Sequence, residues 1–212
     1  MSCPRQSHAF GKTYEEWSAQ FWKWEYSLPA SHHPLFDTAD CNTGQSGKVF
    51  FLGGTFTTIQ VGIEVSGTAN RKCRVPAGKA IFFPIINNEC SQVEGNGSTH
   101  DVLLACAKMP IDAVTNLEAE IDGVSINNLG RYRAQSPLFT FGPLPSDNIL
   151  EVSGIPDTVG KTSPSVSDGY YLLLAPLSVG RHELHFSGKL ELGNPVNFIF
   201  EEDITYHLTI VP

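Results

Sequence analysis

The sequence predicts an all-β protein: a jelly-roll-like antiparallel β-sandwich with an N-terminal amphipathic aromatic helix and a short second helix. Three observations lead there. Only 17% of the 212 residues are charged, while glycine (19) and proline (14) are frequent, which suits many short strands joined by turns. Arg74 to Glu89, RVPAGKAIFFPIINNE, reads as a tight turn launching a strand that is apolar on both faces, as the centre of a sandwich requires. Thr13 to Tyr26, TYEEWSAQFWKWEY, has the spacing of a helix. The length is ample for one core, and the reading is one domain over 1–212, with the helix at 13–26 and the sandwich at 48–212.

In chain order, Thr13 N-caps the helix and Glu16 closes a capping box, while Glu15 complements the N-terminal dipole. Tyr14, Trp17, Phe21 and Trp24 then fall on one face, with Trp22 and Tyr26 off that stripe. Pro29 ends the helix, and Ala30 to Gly47 reads as a long polar loop holding His32, His33, Asp37, Asp40 and Cys41. Val49 to Phe56 is a strand interrupted at Gly53-Gly54, where a bulge or close backbone approach is expected. Thr58 to Val65 alternates as a half-exposed strand, and Arg71 to Val75 begins the next. In the turn that follows, Pro76 presets φ and Gly78 tolerates a positive φ. The strand from Lys79 to Ile86 is expected to end on the polar Asn87, Asn88 and Glu89.

A Gly/Ser/Asn-rich loop follows, then the second helix from Thr99 to Lys108, stopped by Pro110, with one further turn expected at Asp112 to Val114. Leu117 to Ile121 and Val124 to Ile126 flank Asp122-Gly123, a hairpin signal. Leu138 to Phe141 is a strand. Gly142 to Ser167 is a long, weakly structured region with one strand at Ile149 to Val152, and its length marks it as a lid candidate. Tyr170 to Pro176, Arg181 to Phe186 and Asp203 to Val211 close the sandwich. In the last of these, Ile204, Tyr206, Leu208 and Ile210 point to the core.

The formal charge of −8 argues against nucleic-acid or anionic-membrane partners. No apolar run reaches the ~18 residues that span a bilayer. The N-terminus has no apolar signal-peptide core, so the expected location is cytoplasmic as the sequence stands, or secreted if a leader was removed. Five cysteines, Cys3, Cys41, Cys73, Cys90 and Cys106, lack CxxC spacing, which disfavours thiolate zinc and allows at most two disulfides.

The blocks WSAQFWKW, PLFDTADCNTGQSGKVFFLGGTF, RKCRVPAGKAIFFPIINNE, YRAQSPLFTF, SDGYYLLLAPL and YHLTIV, in this order over nearly the whole chain, resemble a family of mostly uncharacterised, often secreted bacterial proteins. The resemblance implies no activity. It does imply a Cys41–Cys73 disulfide, the two being similar to the family's recurring cysteines. The His-His pair before PLFD departs from the family's pattern and weakens a metal role for His32 and His33.

GxSxG, P-loop, HExxH and GxGxxG motifs are missing, and no cofactor or metal is expected. The leading function is binding of a small molecule or glycan. Trp22, Trp24 and Tyr26, with Tyr170 and Tyr171, would supply aromatic rings, while Asn87 and the Arg131–Arg133 pair would supply polar contacts. The alternative is a hydrolase or lyase in which desolvated Glu89 is the general acid or base. There Asp37 or Asp40 would be its partner carboxylate, Arg133 the anion stabiliser and Tyr206 a hydrogen-bond donor. A third reading is a structural domain that forms a homo-oligomer through its aromatic helix. Cys90 beside Glu89, with His100 downstream, is a possible nucleophile, read more simply as inert or disulfide-bonded. His185 and His207 would neighbour each other if the last two strands pair.

Overall fold

The computed structural model describes residues 2–4 and 8–212. Among them, eleven strands form two packed sheets. Sheet A runs β1 (Val49–Phe51), β4 (Ala80–Ser91), β9 (Ser163–Leu174), β7 (Arg133–Gln135), with β8 (Phe139–Phe141) also on β9. Sheet B runs β2 (Thr58–Val61), β3 (Glu64–Pro76), β11 (Phe198–Val211), β10 (Gly180–Leu192), β5 (Val114–Ile121), β6 (Val124–Ser125). The protein is a β-sandwich with an N-terminal helix, but its sheets are mixed rather than purely antiparallel. β1 pairs with β4 and β3 with β11 in parallel, because the β2–β3 hairpin lies in sheet B between two strands of sheet A.

Helix α1 (Tyr14–Ser27) starts at the predicted capping box, with both Thr13–Glu16 bonds present. It lies on the outer face of sheet A, where Tyr14 and Phe21 pack on Phe82 at ring separations of 6.1 and 6.3 Å. On the opposite face Phe83 meets Phe186 of sheet B at 4.9 Å. Helix α2 (His100–Ile111) is capped by Thr99 and stapled to β4 by the Cys90–Cys106 disulfide. The Cys41–Cys73 disulfide is also present and ties the 30–47 loop to β3.

Several local expectations give way to tertiary context. Thr58 to Val65 is not one strand: Gly62, at φ 64°, turns the chain so that Val61 pairs with Glu64. β4 does not stop at Ile86 but runs to Ser91, because β9 begins at Ser163 and supplies partners that far. The second helix continues through Pro110 to Ile111, and β5 replaces the expected turn after it. Ile149–Val152 is a single helical turn, α3, because the Asn148 side chain accepts from the backbone N–H of Leu150 and Glu151 (3.1 and 3.2 Å). The 142–162 segment is pinned rather than free. Leu144 exchanges backbone bonds with Lys161 and Gly160 (2.9 Å each), and Leu144, Ile149 and Leu150 are buried.

The feature that shapes the site is an irregularity in β4. Register with β9 shifts between Pro84 and Ile86, and a slip of one residue exchanges the faces of everything beyond it. Strict alternation from Phe82 would place Asn88 and Cys90 under α1. Instead Ile86 meets Gly188 of sheet B and Asn88 and Cys90 meet α2. Asn87 and Glu89 come up under α1.

Candidate functional site

A polar layer lies buried between α1 and sheet A. Its first part is Glu89, whose carboxylate accepts from the hydroxyls of Tyr26 and Ser165. Burial pushes its pKa well above the ordinary carboxylate range, and the charge of nearby Glu94 adds to the effect. Glu94 is itself held by the Ser91 hydroxyl at 2.5 Å. The carboxyl beside Glu89 is therefore Glu94, on the loop just beyond β4.

The second part is a cavity of about 330 Å³ between α1, β4, β11 and the 54–58 segment. Trp22, Glu25, Asn87 and Glu202 line it, and its apolar wall includes Leu35, Phe56, Val65, Pro84 and Phe200. Glu25 and Glu202 are 3% and 5% exposed. Glu25 Oε2 is buried without a hydrogen-bond partner, while Ser167, Trp22 and Asn87 gather around the buried Tyr171 hydroxyl as its hydrogen-bonding neighbours. Burial, and secondarily Glu202, raises the Glu25 pKa well above the usual range. Burial raises Glu202 to about 8, opposed by the charge of Arg71 and by the Thr55 backbone N–H.

Backbone shape makes room for these groups. A Cβ on Gly54 would sit 1.8 Å from Glu202 Oε2, so only glycine admits the carboxyl there. This is the close approach expected at Gly53-Gly54, made by a side chain of the other sheet. Gly169 serves Asn87 in the same way, a Cβ there falling 2.6 Å from Asn87 Cβ.

Behind Glu202 stands Arg71, buried on the inward face of β3. It donates to Asp37 Oδ1 (2.5 Å), Gly54 O (2.6 Å) and Tyr206 OH (2.8 Å), while Tyr206 donates to Gly53 O (2.8 Å). His33, expected in a solvated loop, is fully buried. Its Nδ1 accepts from the Leu35 N–H (3.1 Å) and its Nε2 donates to Glu25 O (3.2 Å). Burial lowers its pKa to about 4.

The proposed catalytic group of Glu89, Asp37, Arg133 and Tyr206 is thus not assembled. Asp37 and Tyr206 belong to the Arg71 cluster, and neither touches Glu89. Arg133 is bound by Asp168 and Asp112, each at 2.7 Å, so two carboxylates already occupy its guanidinium. Arg131 donates to Tyr132 OH (2.9 Å) and lies over that ring. The polar contacts expected of the Arg131–Arg133 pair are taken up by these internal pairings. Of the aromatic set, Trp24 packs on Phe51 at 5.6 Å and Tyr26 stacks on Phe141 at 4.1 Å, both buried. Trp22 and Asn87 do reach the cavity. Cys90 is in a disulfide, which removes it as a nucleophile. His185 and His207 do not face each other; they pair with Asp203 (3.0 Å) and Glu183 (3.3 Å).

One further string has the outline of a triad: Ser178 Oγ is 3.3 Å from His182 Nε2, and His182 Nδ1 is 2.8 Å from Asp122. Nε2 is closer still, 3.0 Å, to the Ser178 carbonyl, which only accepts. Both ring nitrogens therefore act as donors, and the Asp122 hydrogen bond raises the imidazole pKa. A protonated Nε2 cannot take the serine proton, so His182 clamps a turn.

Glu25, Glu202 and Arg71 were missed from the sequence, though each had a signal. Glu25 follows Phe21 by four residues, on the buried side of the helix. Glu202 continues the inward period of Ile204 and Tyr206 by one step, and Arg71 stands two residues before buried Cys73.

No protein-family model matches the chain, and no curated protein matches it. A solved structure similar over part of the chain is a cysteine protease inhibitor from Entamoeba histolytica. It has 14% identity and a TM-score of 0.25, and covers 69% of this chain and 94% of its own. That likeness carries no argument about function.

Proposed function

We propose that this protein binds a small molecule in the cavity beneath α1. The observation that carries the reading is convergence: Glu25, whose Oε2 is buried and unpartnered, and a second buried carboxyl, Glu202, line one cavity together with Trp22 and Asn87. An unsatisfied buried polar group costs ~1–3 kcal/mol, and an unpaired acid beside a second buried acid is a cost that a bound ligand offsets. The volume, about 330 Å³, equals the share of roughly ten waters, which suits a compact small molecule better than a glycan chain. Glu89 does not line this cavity, and its oxygens are engaged by Tyr26 and Ser165, which favours binding over carboxylate catalysis. The aromatic face that an oligomer would need is spent on the chain's own sheet A.

The test is a fragment screen read by the assigned Trp22 indole N–H resonance. Hits are expected to shift that signal and raise the melting temperature, the thermal shift being lost in Trp22→Phe. A broad library that leaves the Trp22 signal unmoved overturns the reading.

A further inference from the structure

We infer that the ligand of this cavity is a small organic cation, an amine whose ammonium group sits between the carboxyls of Glu25 and Glu202 against the aromatic wall. This rests on the small-molecule reading above and adds the chemical class.

The charges around the cavity support it. The lining includes two carboxyl side chains and no lysine, arginine or histidine. Arg71, the cation behind Glu202, is committed to Asp37, to the Gly54 carbonyl and to Tyr206 and bonds to neither glutamate, though its charge holds Glu202 lower than burial alone would. The two glutamates are left without a bonded counterion. A buried carboxylate needs one, or must keep its proton. Trp22, Phe56 and Phe200 supply ring faces of the kind that attract a desolvated cation. Trp22 and Asn87 also line the cavity and carry N–H donors, so a hydroxyl or carbonyl oxygen on the rest of the ligand suits them. Amino alcohols and small amino-acid-like amines have both features.

The binding step must balance protons. At neutral pH Glu202, with its pKa at about 8, holds its proton. An incoming ammonium forms an ion pair only with an ionised carboxylate, so Glu202 releases that proton to solvent as the ligand enters, while Glu25, raised by the same burial, keeps its own and a single carboxylate meets the single ammonium. Affinity should therefore rise about tenfold per pH unit from 6 to 8, and level off above. A neutral polyol would show the opposite sign, with affinity steady below pH 8 and falling above it. The other groups facing these acids are Arg71, which keeps its charge in this window, His33, which is neutral there, Asp37, Tyr206 and Tyr26. Glu89 lies across Tyr26 and can titrate too, so Glu89→Gln is the control.

The experiment is isothermal titration of the full chain with ethanolamine, choline and butylamine, and with the neutral analogues ethylene glycol and butanol. It is run from pH 6 to 8.5 in two buffers of different ionisation enthalpy. At least one amine is expected to bind with release of about one proton. Binding should fall at least tenfold in Glu25→Gln and Glu202→Gln and persist in Glu89→Gln. Both cavity variants exchange a buried acid for a neutral amide, so they are expected to fold at least as well as the native chain, and the melting temperature checks this. Binding of neutral analogues but not amines overturns the amine assignment and keeps the small-molecule reading. If neither series binds and no fragment moves Trp22, both fall.

Discussion

Two faces of this sandwich carry similar acids and bases and treat them oppositely. On the outer face of sheet B, histidines and lysine sit beside carboxylates: His185 with Asp203, His207 with Glu183, Lys189 with Glu191 at 2.8 Å. All these pairs touch water. Under α1, three carboxyls, Glu25, Glu89 and Glu202, lie at or below 8% exposure with no cation bonded to any of them. Exposed pairs contribute little because water already solvates both members. Buried acids without a counterion cost several times more, and folding alone gives no reason to keep them. The expensive arrangement is the one on which the binding proposal rests.

The comparison breaks most visibly at Arg71, among the described residues the buried cation next to the acid layer. Arg71→Ala should cost ~3–5 kcal/mol in chemical denaturation, since it strands the Gly54 carbonyl, empties the space of a buried side chain and removes the charge that holds Glu202 down. A loss under 1 kcal/mol would mean that the cluster is not an anchor.

Next in size is Glu202→Gln. Its folded pKa is raised above the unfolded value, so the folded state binds the extra proton. Stability from this group is complete at low pH and declines as pH rises from about 4.5 toward about 8, by up to ~1.4 kcal/mol per unit. The variant should remove that slope and be more stable than the native chain at pH 8. An unchanged pH profile would show that Glu202 is solvated.

The smallest effect belongs to the open face. His207→Ala or Glu183→Gln should change stability by no more than ~0.5 kcal/mol, and less in high salt. If either cost more than Glu202→Gln gains, the contrast between the two faces would be lost.

Much of the frame was legible from local pattern. The capping box of α1, the alternation of β11 and the buried run of β4 depend on residues close in sequence, and their periods survive in the structure. Glu25 and Glu202 were legible too, had the helical and two-residue periods been carried one step further onto charged residues. The catalytic grouping around Glu89 was not legible, because it required knowing which distant residues meet. Asp37 goes to Arg71 and Arg133 to Asp168, pairings set by the packing of loops and strands far apart in the chain.

By itself the sequence determined a two-layer β fold, an aromatic helix that must be buried, and a strand from Ala80 that carries polar residues at its far end. The tertiary structure decided which of those residues share a face. The register shift between Pro84 and Ile86 moves Asn87 and Glu89 beneath α1 and sends Asn88 and Cys90 to α2. A one-residue slip changes no local preference, yet it inverts every side chain beyond it, so only pairing with β9 could place the cavity where it is.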